Sequence, residues 1–278
     1  MFRRLGSLLV VAGALVAVPA ATAAYPTPFA LQGGTVLPNL DGSLQFTASK
    51  AGAGTRVTAM DKQDSVVMSR TVPGAFGIAR LTQNGLVGGL FHDGSAFVLQ
   101  NVGLLSTSRF MIVGAKDLVP RMTISLKGAF GFDALSPDGS MLYLIQHTST
   151  QDIQHYIVRA YDLKARKLLP GRVADKSQRS WVMQGFAVDR VTSGDGRWVY
   201  TLYTNPGGYP FVHALDTVRG VAHCIGVPWR GSENEPWDMR LALRSDGTSL
   251  AVNRKSGAGF VAIDLANWTI SYLDGSSG

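Results

Sequence analysis

Five Asp-Gly pairs along the chain are each followed, 18 to 24 residues later, by a second aspartate at the end of a short apolar run. The pairs begin at Asp41, Asp93, Asp138, Asp195 and Asp246, and their partners are Asp61, Asp117, Asp162, Asp216 and Asp264. Successive pairs are 52, 45, 57 and 51 residues apart. Asp-Gly favours tight turns, because glycine accepts the positive φ that a hairpin requires. The chain therefore contains a repeat in which each unit holds two turns.

The clearest unit, residues 131–173, alternates short apolar runs with turn signals. Phe132–Leu135, Met141–Ile145 and Tyr156–Tyr161 are predicted strands, and a fourth strand begins at Leu168. A period of roughly 50 residues made of four short strands is typical of radial β arrays. The sequence therefore predicts an all-β fold, a β-propeller of about five four-stranded blades, with a sixth blade left open. That architecture alone does not define a function.

The predicted domain organisation is a signal peptide at 1–23 and a single propeller domain at 24–278. We place the five repeats near 34–71, 88–126, 131–173, 186–227 and 241–273.

In the second repeat, Asn84-Gly85 competes with Asp93-Gly94 as the first turn. We choose Asp93, because Asp117 then follows at the spacing that also separates Asp138 from Asp162. The choice leaves residues 72–87 as an insertion or an extra hairpin, and a sixth blade therefore stays open.

The first residues have the features of a secretory signal. Arg3 and Arg4 are followed by an apolar run from Leu8 to Val18, and Ala21–Ala23 is a small-x-small cleavage site. The run is too short for a transmembrane anchor across a hydrocarbon core of ~30 Å. We expect cleavage near Ala23 and a secreted or extracytoplasmic product that does not span the membrane.

Charge and cysteine content exclude some classes of protein. The formal net charge is +7, but the basic residues are scattered, and their densest group, residues 164–167, lies in a predicted turn. Nucleic-acid binding would need a clustered basic surface and is not expected. Cys224, the single cysteine, has no internal disulfide partner and is expected to be a buried, inert thiol. His213, which alternates with apolar neighbours, is expected to be a structural histidine, and the mature protein is expected to be a monomer.

Two segments, Ala134–Tyr143 and Arg244–Thr248, together with the strand-end aspartates, resemble the exported YncE-like and TolB-like propellers with degenerate WD40-type repeats. The resemblance covers most of residues 34–273 and rests on repeats of the fold, without catalytic motifs. It implies a bacterial extracytoplasmic propeller with a central channel. The chain is short for this family, since seven such blades would need roughly 350 residues.

Functional side chains are expected on one face of the propeller, where the loops between second and third strands meet the connections between blades. Residues 229–240 combine two tryptophans, two arginines and three carboxylates, and Trp181 and Trp237 both stand just before a first strand. Such rings can bind a flat or sugar-like ligand at the channel mouth, or pack between blades as structural residues. The candidate ligand-binding residues are Trp181, Gln184, Tyr209, Trp229, Arg230, Trp237 and Arg240.

A metal site is the alternative. Lactonase-type and gluconolactonase-type propellers hold a divalent ion with Glu, Asn and Asp residues from different blades, and this face offers the same residue types. The candidates for Ca²⁺ or another divalent ion are Asn205, Glu233, Asn234, Asp238 and Asn253.

The sequence favours a binding function over an enzymatic one. Neither a Gly-x-Ser-x-Gly elbow nor a His-Glu-x-x-His motif is present, so no catalytic residue is assigned. The predicted function is a non-catalytic, cofactor-free exported propeller that binds a protein, a peptide or an envelope polymer. The alternative is a metal-dependent lactonase-type hydrolase or lyase.

Overall fold

The computed structural model of the chain describes residues 30–103, 106–175, 177, 180–228 and 235–273. They form five antiparallel sheets in chain order and one short 3-10 helix, Glu235–Asp238. The predicted signal peptide, residues 1–23, lies outside the described residues. Within the described ranges, no helix is long and apolar enough to cross a membrane.

The first three sheets, called blades 1 to 3, cover the N-terminal part of the described chain. Blade 1 consists of β1 (Val36–Pro38), β2 (Leu44–Ala51), β3 (Gly54–Asp61) and β4 (Val66–Pro73). Blade 2 consists of β5 (Phe76–Arg80), β6 (Val87–Gly88), β7 (Ala96–Asn101), β8 (Thr107–Gly114) and β9 (Pro120–Lys127). Blade 3 consists of β10 (Phe130–Leu135), β11 (Met141–His147), β12 (His155–Asp162), β13 (Lys167–Leu168) and β14 (Met183–Gln184).

The last two sheets have four strands each. Blade 4 consists of β15 (Ala187–Thr192), β16 (Trp198–Tyr203), β17 (Phe211–Asp216) and β18 (Val221–Gly226). Blade 5 consists of β19 (Arg240–Leu243), β20 (Ser249–Asn253), β21 (Gly259–Asp264) and β22 (Ile270–Tyr272). The predicted all-β architecture of about five blades is confirmed.

Four apolar cores join the blades in chain order: blade 1 to 2, 2 to 3, 3 to 4 and 4 to 5. In the first core, for example, the rings of Phe46 and Phe97 stack with centroids 4.5 Å apart. Strands between two cores are buried on both faces, as the residues of β7 are throughout. Within the described part of the chain, none of the four cores joins blade 1 to blade 5.

The Asp-Gly pairs form the turns between first and second strands, as predicted. In all five, the aspartate side chain accepts a hydrogen bond from the backbone N–H two residues on, as Asp138 does from Ser140 at 3.1 Å. The five glycines have φ between 66° and 72°, which only glycine adopts without strain. The second aspartate of each repeat caps the next turn on the same side, as Asp216 does for Val218 and Arg219. We call this side of the propeller the bottom face and the opposite side the top face.

Blade 2 departs from the expected repeat, because its sheet begins at Phe76 and not near residue 88. The first half of β5 pairs with β7, and its second half, Ala79 and Arg80, pairs with β6. Residues 79–88 thus form a hairpin inserted into the first strand, which we call the channel hairpin. The sequence left open whether residues 72–87 belong to a sixth blade. Most of this segment belongs to blade 2 and its hairpin, and the described residues contain five blades.

Candidate functional site

The candidate residues of blades 3 and 4 lie together at the top face. The Trp181 ring packs edge-on against Phe211, with centroids 5.0 Å apart, and is half-buried in the core between the two blades. Gln184 donates from Nε2 to the Pro206 carbonyl at 2.6 Å, and its Oε1 lies 3.1 Å from His155 Nε2. Gln184 therefore ties the loop after β16 to the start of β12.

Tyr209 is the exposed aromatic of this group. It lies in the loop between β16 and β17, and 60% of its surface is accessible. Asn205 donates from Nδ2 to the Tyr209 carbonyl at 3.0 Å, and the Gly208 N–H donates to the Asn205 carbonyl at 2.9 Å. These bonds, together with the one from Gln184 to Pro206, hold the loop while the tyrosine ring faces solvent. We call the surface formed by Trp181, Gln184, Asn205 and Tyr209 the rim cluster.

The remaining described candidates lie on blade 5. Trp237, in the 3-10 helix, packs against the core between blades 4 and 5, and its ring centroid is 6.2 Å from that of Phe186. The Arg240 guanidinium donates to the carbonyls of Trp237 and Met239 at 3.1 and 2.6 Å. Asn253 is the strand partner of Arg240. Among the described residues, no hydrogen bond, ion pair or ring contact joins this group to the rim cluster. Trp229 and Arg230 lie outside the described residues.

The metal hypothesis stays a prediction. Asn205 uses its amide within its own loop, and the Asp238 carboxylate lies 3.3 Å from Lys255 Nζ. The described residues contain no group of three or more His, Cys, Asp or Glu side chains that could hold an ion. Two of the candidates, Glu233 and Asn234, lie outside the described ranges.

The channel hairpin was not foreseen as a channel element. It leaves blade 2 and reaches the first strand of blade 4, where the Gln83 N–H donates to the Ala187 carbonyl at 2.9 Å. Asn84 donates from Nδ2 to the Val188 carbonyl at 2.8 Å. The signal for this element was the Asn84-Gly85 turn, whose glycine has a φ of 90°. The hairpin therefore bridges the channel between two blades that are not neighbours.

A buried ion pair lies below the hairpin, and the sequence reasoning missed it. Arg190 on β15 bonds through its terminal nitrogens to the carbonyl and the carboxylate of Asp133 on β10, and through Nε to Thr201 Oγ1 at 2.9 Å. The two side chains are only 6% and 2% exposed. The sequence did contain a signal for this ion pair, because Asp133 is a carboxylate inside the otherwise apolar first strand of blade 3. A charge that is buried in this way needs a partner.

Two further polar groups, the buried His213 and the partly buried Cys224, lie near this pair on blade 4. Burial lowers the pKa of His213 to about 4, so the imidazole is neutral at pH 7. Burial raises the pKa of the Cys224 thiol to about 12, which disfavours the thiolate that a nucleophile requires. Cys224 Sγ lies 3.5 Å from His213 Nδ1. His213 is buried, as the sequence predicts, whereas Cys224 is only partly buried, although its raised pKa agrees with an inert thiol.

Comparison with known proteins identifies the fold alone. No protein-family model matches the chain, and no curated protein does. Among solved structures, the Dos1 propeller is similar with a TM-score of 0.52 at 8% identity, over 86% of this chain and 57% of that one. The dihydro-heme d1 dehydrogenase NirN is similar with a TM-score of 0.49 at 12% identity, over 82% and 43%. TolB from Acinetobacter baumannii is similar with a TM-score of 0.44 at 15% identity, over 86% and 51%.

The chain thus spans about half the length of these three structures. At such low identities, a shared architecture says nothing about ligands or activity. The five antiparallel blades, together with the structural similarity to the Dos1 propeller, establish that the chain is a β-propeller.

Proposed function

We propose that the chain is a non-catalytic, exported binding propeller of the TolB-like and YncE-like type, and that the rim cluster holds its ligand. The ligand is a protein, a peptide or an envelope polymer. The observation that carries the proposal is Tyr209, an exposed aromatic side chain on a loop that is fixed at both ends by hydrogen bonds.

Aromatic side chains provide most of the binding free energy in many interfaces, because they bury a large area with few rotatable bonds. A loop that is already ordered loses little conformational entropy on binding. Asn205 and Gln184 order the loop through main-chain carbonyls and leave the Tyr209 ring unobstructed. The loop therefore has the properties of a preorganised anchor.

The surroundings of Tyr209 favour a broad contact over a closed pocket. Arg172 donates from Nη1 to the carbonyls of Ser180 and Trp181 at 3.4 and 3.3 Å, which places a cation beside the rim cluster. His155 lies half-exposed next to Gln184, with Nδ1 2.6 Å from the Asp152 carboxylate. Cationic, polar and aromatic groups side by side are typical of recognition surfaces.

Two groups on blade 4, His213 and Cys224, are unsuited to nucleophilic or acid–base chemistry. His213 is enclosed between strands, and the Cys224 thiol has a raised pKa. Both properties support binding over covalent catalysis.

A photocrosslinking experiment tests the proposal. A benzoylphenylalanine residue replaces Tyr209 in the exported chain, and the matched control places it at Val218, which is 61% exposed on the bottom face of the same blade. We expect adducts from position 209 and none from position 218. A discrete heavier band indicates a protein partner, and co-sedimentation with isolated envelope material indicates a polymer.

The variant Tyr209→Ala should lose the interaction and keep the melting temperature of the parent chain, because substitutions at exposed sites change stability by roughly 0.5 kcal/mol or less. Equal adducts from both positions, or binding that Tyr209→Ala leaves intact, would remove the rim cluster from the proposal.

A further inference from the structure

The channel contains a cavity of about 400 Å³ on its bottom-face side. Its walls come from blades 1 to 4 and from the channel hairpin. This volume lies within the range of ~300–1,000 Å³ that is usual for small-molecule sites. The cavity is separate from the rim cluster, which lies at the top face, so the inference does not depend on the proposed function.

Most of the wall is apolar. Leu37 of blade 1, Leu90 and Leu135 of blades 2 and 3, and Leu86 of the channel hairpin all border the cavity. Two exposed residues, His92 and Thr192, border it at the bottom-face turns. An occupant must therefore be largely apolar, because each polar group placed against these side chains would lose its hydration without replacement.

The polar exception is the ion pair of Asp133 and Arg190, which also borders the cavity. Arg190 neutralises the carboxylate, so the pair presents no net charge to an occupant. Arg190 bonds to Oδ1 of Asp133, whereas Oδ2 accepts no hydrogen bond among the described residues. A carboxylate oxygen that the arginine does not use can accept a hydrogen bond from an occupant, and it favours an occupant with a donor group.

We propose that this cavity binds a small, uncharged, apolar molecule whose hydroxyl or N–H group donates a hydrogen bond to Asp133 Oδ2. The leucine walls hold the apolar body, and the carboxylate fixes its orientation. A charged ligand is disfavoured, because the neutral ion pair gives it no counter-charge in a site lined by apolar side chains.

The test uses the fluorescent dye N-phenyl-1-naphthylamine, which is uncharged, apolar and carries one N–H donor. Its N-methyl derivative has the same rings without the donor. The mature chain should bind the first dye saturably with one site. It should bind the second dye about ten- to hundredfold more weakly, because that dye lacks one hydrogen bond to a charged acceptor. Equal affinities for the two dyes would overturn the role given to Asp133.

Two variants at the cavity mouth locate the binding site. Thr192→Trp fills the cavity from an exposed position and should weaken dye binding at least tenfold, while the matched Thr192→Val keeps the volume and should bind as the parent does. Tyr209→Ala at the top face should also leave dye binding unchanged. Failure of the parent to bind saturably, or unchanged binding by a folded Thr192→Trp, would overturn the proposal. Circular dichroism confirms that each variant is folded.

Discussion

His213 makes the stability of the protein depend on pH in a way that can be measured. The residue is 2% exposed on β17, and its Nε2 has no hydrogen-bond partner among the described residues. Its pKa falls from the ordinary value of 6.5 to about 4, mainly because burial penalises the charged imidazolium. The His213 imidazole therefore binds a proton at a lower pH in the folded chain than in the unfolded chain.

The sign of the effect follows from proton binding. Between pH 6.5 and about 4, the unfolded chain binds a proton at His213 and the folded chain does not, so acid favours unfolding in this window. The free energy of unfolding loses roughly 3 kcal/mol over the whole window, and most of that loss is complete at about pH 4.5. The stabilising contribution is fully present above pH 6.5.

The assay is urea unfolding at about pH 7 and about pH 4.5, for the parent chain and for His213→Phe. The phenylalanine ring has similar volume and no titrating group, so the variant should lose roughly 2 kcal/mol less than the parent between the two conditions. His147, whose pKa burial also lowers, contributes in the same direction to both chains and cancels in the comparison.

Equal losses in the parent and in His213→Phe would refute this reasoning. The imidazole would then have to be hydrated or charged in the folded state, and the packing described for β17 would be wrong.

Other substitutions and one titration test the rest of the structure. Asp133→Ala should cost about 3–5 kcal/mol of unfolding free energy, because the Arg190 charge stays buried without its partner, and the double variant Asp133→Leu/Arg190→Met should recover part of the loss in the same urea assay. Asn84→Ala should cost about 0.5–1.5 kcal/mol through the lost bond to Val188 and should speed amide exchange at Gln83. A thermal-shift scan with EDTA, Ca²⁺, Zn²⁺ and Mn²⁺ tests the alternative metal site: we expect no saturable shift, and a saturable rise with one ion would favour the lactonase-type reading.

The turns could be predicted from the sequence because their interactions are local. Asp138 reaches only as far as Ser140, and the glycine between them supplies the required φ, so three residues contain the whole signal. The same argument holds for the other four Asp-Gly pairs that the structure describes. A regular series of such turns fixes the length of the hairpins, and the blade count follows from the number of turns.

The channel could not be predicted, because its contacts join residues far apart in sequence. Arg190 meets Asp133 from 57 residues away, and Asn84 meets Val188 from 104 residues away. Asn84-Gly85 and Asp93-Gly94 looked like competing choices for one turn, but both are turns, the first at the tip of the channel hairpin. No local sequence pattern indicates that this hairpin leaves its own sheet and forms hydrogen bonds with the sheet of another blade.

The loops of the top face differ in length from blade to blade, unlike the turns of the bottom face. The loop between second and third strands has two residues in blade 1, at 52–53, and seven in blades 3 and 4, at 148–154 and 204–210. At the bottom face, the aspartate of each Asp-Gly turn accepts a hydrogen bond from the backbone of the same turn. This bond holds the backbone close to one geometry in every repeat. The top-face loops of blades 3 and 4 are longer and are held by different hydrogen bonds, from Gln154 to Asp152 in one and from Asn205 to Tyr209 in the other. This face carries the exposed Tyr209 and the bridging Gln184. A partner that uses this propeller should therefore approach blades 3 and 4 from the top, off the axis of the channel.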